Sequence, residues 1–94
     1  MRKFSRALYR AANDAFAVGR INKDEMRVLR RARWNPLVMH VLRRRVLEEA
    51  ELTGVWAGDV RSLDWDNLLD FLKEMMPFII ELILMLISIF ADED

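Results

Sequence analysis

Apolar residues recur at three- and four-residue intervals through three successive segments of the first half of the chain. This spacing places them on one face of an α-helix and leaves polar residues on the other, so each segment is predicted to be an amphipathic helix. The predicted helices cover about residues 4–18, 23–33 and 36–52. The first segment shows the pattern most clearly, with one face made of Phe4, Leu8, Ala11, Ala12, Ala15 and Phe16.

Residues with strong terminal preferences separate these three segments. Gly19 suits the left-handed position that often follows a helix. Asn22, followed three residues later by Glu25, matches a capping box at the start of the second helix. Pro36 fits the first turn of the third helix, because its missing N–H has no partner there, and Gly54 is expected to end that helix.

The C-terminal part of the chain predicts one long helix at residues 64–91, preceded by a loop at 54–63 and followed by an acidic tail at 92–94. Asp64 is the predicted N-cap, because its carboxylate can accept hydrogen bonds from the first free amides. Pro77 lies inside the segment, removes one helical hydrogen bond and is therefore expected to kink the helix.

The long segment differs from the others because it is apolar on nearly all sides beyond Pro77. Four of its polar residues form one column at seven-residue spacing: Asn67, Glu74, Glu81 and Ser88. A helix of this kind needs neighbours on several faces, whereas an ordinary surface helix needs only one. The side chains predicted to form an association or membrane face are Phe78, Ile79, Leu82, Ile83, Leu86, Ile87 and Phe90.

Three kinds of neighbour would satisfy this helix: a membrane, further copies of the chain, or the protein's own core. From Met75 to Ala91 the only charged residue is Glu81. These 17 residues extend about 25 Å, which is at the short limit for crossing a bilayer. A carboxylate at mid-span is costly in lipid, so membrane insertion, soluble self-association and a self-contained monomer all stay open.

Charge divides the chain in two, although the formal net charge is zero. Residues 1–45 contain thirteen Lys or Arg and three Asp or Glu, a net charge of +10, and the remaining residues carry −10. Such asymmetry suggests that the basic half contacts an anionic partner, either nucleic acid, lipid headgroups or the acidic half of another copy. The alternative is that the two halves neutralise each other within one monomer.

Arginine is well suited to bind phosphate, because its planar guanidinium donates several hydrogen bonds. The residues predicted to contact phosphate or lipid headgroups belong to two runs of the second and third helices: Arg27, Arg30, Arg31, Arg33, Arg43, Arg44 and Arg45. The alternative for the second run is pairing within the helix, of Arg44 with Glu48 and of Arg45 with Glu49.

Signals of catalysis are weak in this sequence. The chain has no cysteine, which excludes disulfides and thiolate metal sites, and His40 is its only histidine. Glycine-rich phosphate loops, nucleophile elbows and metal-binding histidine pairs are missing from the sequence. We therefore expect no enzymatic activity, no cofactor and no small-molecule substrate.

The sequence thus predicts an all-α protein, with three short basic amphipathic helices followed by one long, kinked, strongly hydrophobic helix. The expected role is assembly: self-association or membrane anchoring through the C-terminal helix, as in a phage membrane, holin-like lysis or virion component. The basic half would then lie in the cytoplasm or within a virion, and no cleavable secretory signal is expected. The main alternative is a soluble oligomeric protein that binds or packages nucleic acid through its arginines.

Overall fold

A computed structural model describes residues 2–56, 58 and 64–91 of the chain. The described residues form four helices and no strand, so the predicted all-α fold with a long C-terminal helix is confirmed. The helices, which we name α1 to α4, are Arg2–Ala17, Lys23–Ala32, Pro36–Leu52 and Trp65–Ala91. The predicted acidic tail at 92–94 and most of the predicted loop at 54–63 lie outside the described residues.

The turn between α1 and α2 follows from its local sequence. Gly19 has a φ of +78°, the left-handed conformation that glycine adopts without steric cost. Ile21 then folds back and is buried. The Asn22 side chain accepts a hydrogen bond from the Glu25 amide at 2.8 Å, and the Glu25 carboxylate accepts one from the Asn22 amide at 3.0 Å. The capping box therefore fixes where α2 begins.

The starts of α3 and α4 are capped in a similar way. The Asn35 side chain accepts a hydrogen bond from the Val38 amide at 3.2 Å, and Pro36 occupies the first turn of α3. At α4, the Asp64 carboxylate accepts a hydrogen bond from the Asp66 amide at 3.0 Å. Each cap satisfies amides that have no partner within the helix.

The long helix α4 contacts each of the other three helices, α1 most extensively. It continues through Pro77 as one helix, and the kink expected there stays a prediction. Within the described residues, no helix has both the length and the apolar character that a membrane crossing needs. The largest fully buried side chains come from all four helices: Phe4, Leu8, Leu29, Val38, Leu42, Val46, Leu68, Leu72, Met76, Ile79 and Ile83.

The described core contains apolar side chains alone, with no buried polar or charged residue. Its stability therefore depends on removal of apolar surface from water, at about 25 cal/mol per Å². One ion pair joins distant helices at the surface, between Lys73 of α4 and Asp14 of α1 at 3.2 Å. Both side chains are partly exposed, so this pair contributes little beside the core.

Replacement of Leu72 by alanine tests this account of the core. Leu72 is fully buried on α4, so we expect a loss of about 2–5 kcal/mol in the free energy of unfolding, measured by urea denaturation. Leu52→Ala is the matched control, because that leucine is 78% exposed, and its effect should stay within about 0.5 kcal/mol. Similar losses for both variants would contradict the burial of Leu72 and the exposure of Leu52.

Candidate association surface and basic cleft

The outward side of the second half of α4 exposes large apolar side chains. Leu84, Met85 and Ile89 are 51%, 54% and 53% exposed, and Phe78 is also exposed. Their spacing places Phe78, Met85 and Ile89 on the side of the helix towards α3, whereas Leu84 lies beyond the polar column of Glu81 and Ser88. We call Phe78, Met85 and Ile89 the apolar face.

An open groove of about 480 Å³ separates α3 from α4 beside the apolar face. Val41 and Arg45 of α3 line one wall, and Phe78, Leu82 and Met85 are among the residues of the other. At the opposite end of the two helices, Val55 lies beside Phe71 and Glu74. The two helices therefore run antiparallel.

This arrangement brings Leu37 to the same end as Ile89. Leu37 lies one turn before Val41 on α3, and Ile89 lies one turn beyond Met85 on α4. Leu37 is also exposed. Exposed apolar side chains thus occur on both helices at this end of the groove.

Most of the residues predicted to form an association or membrane face contribute to the core instead. Ile79 and Ile83 are fully buried, and Leu82 and Leu86 nearly so. Ile87 and Phe90 are half-buried against the core, which leaves Phe78 as the most exposed of the seven. The three short helices therefore cover more of α4 than its sequence suggests. The polar column lies on the outward side, where all four residues are exposed: Asn67, Glu74, Glu81 and Ser88.

A second surface feature, the basic cleft, lies between α1 and α2. It has a volume of about 700 Å³ and contains three arginines, Arg6, Arg10 and Arg33. The two arginines of α1 are one helical turn apart, whereas Arg33 follows the last residue of α2. The remaining lining residues are Ser5, Tyr9, Asn13 and Asp14.

Tyr9 links the two helices at the base of this cleft. Its hydroxyl donates a hydrogen bond to the carbonyl of Leu29 in α2 at 2.5 Å. Burial raises the pKa of Tyr9 from 10.0 to about 12, although the neighbouring Arg33 charge opposes the rise. The Arg33 guanidinium lies 5.6 Å from the centre of the Tyr9 ring and 5.9 Å from that of Trp34, within cation–π range of both.

The arginines predicted from the sequence fall into distinct environments. Arg27 pairs with Asp24 at 3.6 Å within α2. Arg44 pairs with Glu48 at 3.5 Å, and Arg45 lies 3.6 Å from Glu49. Each pair lies within one helix near the surface. The pairs therefore neutralise neighbouring charges but contribute little to the stability of the fold.

Of the remaining predicted arginines, only Arg33 lines the basic cleft. Arg30 and Arg31 are exposed on α2, and Arg43 is half-buried on α3. The sequence prediction missed Arg6, Arg10 and the aromatic pair of Tyr9 and Trp34. The four-residue spacing of Arg6 and Arg10 is a signal that could have identified them, because it places both on one face of α1.

Nothing in the described residues points to a catalytic or metal centre. No group of three or more His, Asp or Glu side chains in that part of the chain could hold a metal ion. His40 is exposed on α3. Comparisons with models of protein families, with curated proteins and with solved structures found no match.

The environment of Tyr9 predicts an unusual titration. Since the fold raises the pKa of Tyr9 to about 12, its contribution to stability is complete below pH 10 and is lost as the pH rises from about 10 to about 12. Tyr9 is the only tyrosine, so ultraviolet absorbance follows it directly. We expect a midpoint near 12 in the folded protein and near 10 in denaturant. A folded-state midpoint near 10 would contradict the burial that raises the pKa of Tyr9.

Proposed function

We propose that the protein is a non-enzymatic helical assembly protein that self-associates through the apolar face of α4 and the adjoining start of α3. The observation that carries this proposal is the exposure of Phe78, Met85 and Ile89, the last two about half accessible, on one side of a helix that is otherwise well packed. Contiguous apolar surface on a small domain commonly marks an interaction site, because its exposure to water is unfavourable.

A second copy of the chain is the partner that best fits this surface. Arg45 and Glu81, both at the α3–α4 groove, carry opposite charges. In a two-fold contact the same surface of each copy meets the other, so Arg45 of each copy can approach Glu81 of the other. The charges then set the orientation of the two copies, whereas apolar burial supplies most of the affinity.

A lipid surface is the competing partner for the same apolar residues. The proposal includes the location predicted from the sequence, which is a membrane or a virion. A protein in either location would have to assemble with other molecules. Lipid binding differs from self-association in one measurable respect, since it needs vesicles and self-association does not. The molar mass without detergent and the flotation of the protein with vesicles therefore distinguish the two partners.

Met85→Glu should weaken self-association, because it places a carboxylate at the centre of the apolar face. We expect sedimentation equilibrium of the unaltered protein to give a concentration-dependent mass above that of the monomer. The variant should dissociate at least about tenfold more readily, which corresponds to about 1.4 kcal/mol.

Leu52→Glu is the matched control for this experiment, because Leu52 is exposed at the far end of α3, away from the apolar face. It should leave the association unchanged. A monomeric unaltered protein at all concentrations, or equal weakening by both variants, would refute the proposal. A monomer that floats with neutral vesicles through Met85 would identify lipid as the partner instead.

Glu81→Leu should act in the opposite direction. Glu81 is exposed beside Met85, so its replacement removes a charge and adds apolar area without any change to the core. We expect the variant to remain folded by circular dichroism and to associate at least as tightly as the unaltered protein by sedimentation. Loss of association would instead show that the carboxylate itself holds the copies together.

A further inference from the structure

Three arginines converge on the basic cleft without a matching set of acids. Arg6, Arg10 and Arg33 form no ion pair with any residue of the described part of the chain. The one carboxylate that lines the cleft is Asp14, and Lys73 of α4 lies 3.2 Å from it and balances its charge. The cleft therefore has a positive excess that favours an anion of two or more charges.

Arg33 is held in place before any ligand arrives. Its guanidinium lies over the Tyr9 ring, and the Tyr9 hydroxyl is fixed by its hydrogen bond to Leu29. A guanidinium supported on an aromatic ring keeps its N–H groups free for hydrogen bonds to phosphate oxygens. Hydrogen-bonding groups of Ser5 and Asn13 line the same cleft.

Trp34 adds a different kind of surface at the edge of the cleft. It is 82% exposed, next to Arg33 and outside the apolar core. So exposed a ring leaves much of its surface open to a ligand beside Arg33. A nucleobase could stack on this ring, because stacking on aromatic side chains is favourable for every base. Aromatic residues of this kind commonly accompany basic grooves that bind single strands.

The basic surface continues along the seam between α1 and α2. A neighbouring groove shares Asn13 with the cleft and is lined by Phe16 and by Lys23, Arg27 and Arg30. From Arg6 to Phe16 the seam extends about 15 Å along α1, which matches about four stacked nucleotides at 3.4 Å each. Residues 2–33 carry ten Lys or Arg and three Asp or Glu.

From this arrangement we infer that the α1–α2 seam binds single-stranded nucleic acid, with Arg6, Arg10 and Arg33 on its phosphates and Trp34 stacked on a base. A lipid surface fits less well, because the three arginines line a concavity that a flat layer of headgroups does not enter. A duplex fits less well, because its bases are already stacked and cannot cover Trp34. This inference is independent of the proposed self-association.

The test is fluorescence anisotropy of a labelled single-stranded oligonucleotide with the full chain, over a range of salt concentrations. We expect binding at low salt that weakens steeply as salt rises. The triple variant Arg6→Gln, Arg10→Gln, Arg33→Gln should bind at least about tenfold more weakly. Its slope of log K against log salt should be smaller by about 2, since each phosphate contact on a single strand contributes about 0.7.

The matched control removes the same charge at residues that line neither the cleft nor its neighbouring groove, with Arg31→Gln, Arg43→Gln and Arg44→Gln. It should weaken binding less than about threefold, although Arg43 and Arg44 belong to the densest arginine run in the sequence. Trp34→Ala serves as a second variant that changes no core contact. It should reduce affinity about tenfold with no change in the salt slope, and Trp34→Phe should restore much of the loss.

Several results would overturn the inference. One is the absence of single-strand binding at low salt. Another is equal weakening by the two triple variants, which would mean that only net charge matters. A third is tighter binding to a duplex of the same sequence, or to vesicles with anionic headgroups, than to the single strand. If Trp34→Ala also had no effect, the basic surface would be assigned to the duplex or to the lipid.

Discussion

The rest of this structure depends on one constraint: the three shorter helices must bury the apolar surface of α4. This helix has 27 residues, whereas the helices around it have 16, 10 and 17, and its sequence is apolar on several sides. Each of the three short helices therefore packs buried apolar residues towards α4, although Phe16 of α1 stays exposed. Because those buried residues lie in the core, the charged faces of the short helices point outwards, and the outward side of the last turns of α4 remains exposed.

The ion pairs between a base of the first half of the chain and an acid of the second half lie within α3, where Arg44 and Arg45 pair with Glu48 and Glu49. In the described residues, no acid of the second half pairs with a base of residues 2–33. The single ion pair that joins distant helices in the described residues has the opposite polarity, with its acid, Asp14, in the basic half and its base, Lys73, in the acidic half. The remaining pairs lie within one helix. A positive surface therefore persists on α1 and α2, which explains why a chain of zero net charge can present a strongly basic face.

The apolar face and the basic cleft belong to different parts of the molecule, so they need not compete. If copies assemble through α4, each copy brings its own basic seam. Several weak phosphate contacts on one assembly then act together, and the overall affinity exceeds that of a single site. Assembly and nucleic-acid binding were alternatives in the sequence analysis, whereas the separation of the two surfaces makes them compatible.

The sequence by itself determined the helices and their limits, because these depend on contacts between near neighbours: the capping box of Asn22 and Glu25, the left-handed Gly19 and the helical spacing of apolar residues. It did not determine which sides of α4 are covered, so Ile79 and Ile83 were predicted at an interface although they lie in the core. Nor did it reveal the convergence of Arg6, Arg10 and Arg33 around Tyr9. Only the tertiary structure decided both points, because side-chain exposure and charge clustering depend on how helices distant in sequence pack against one another.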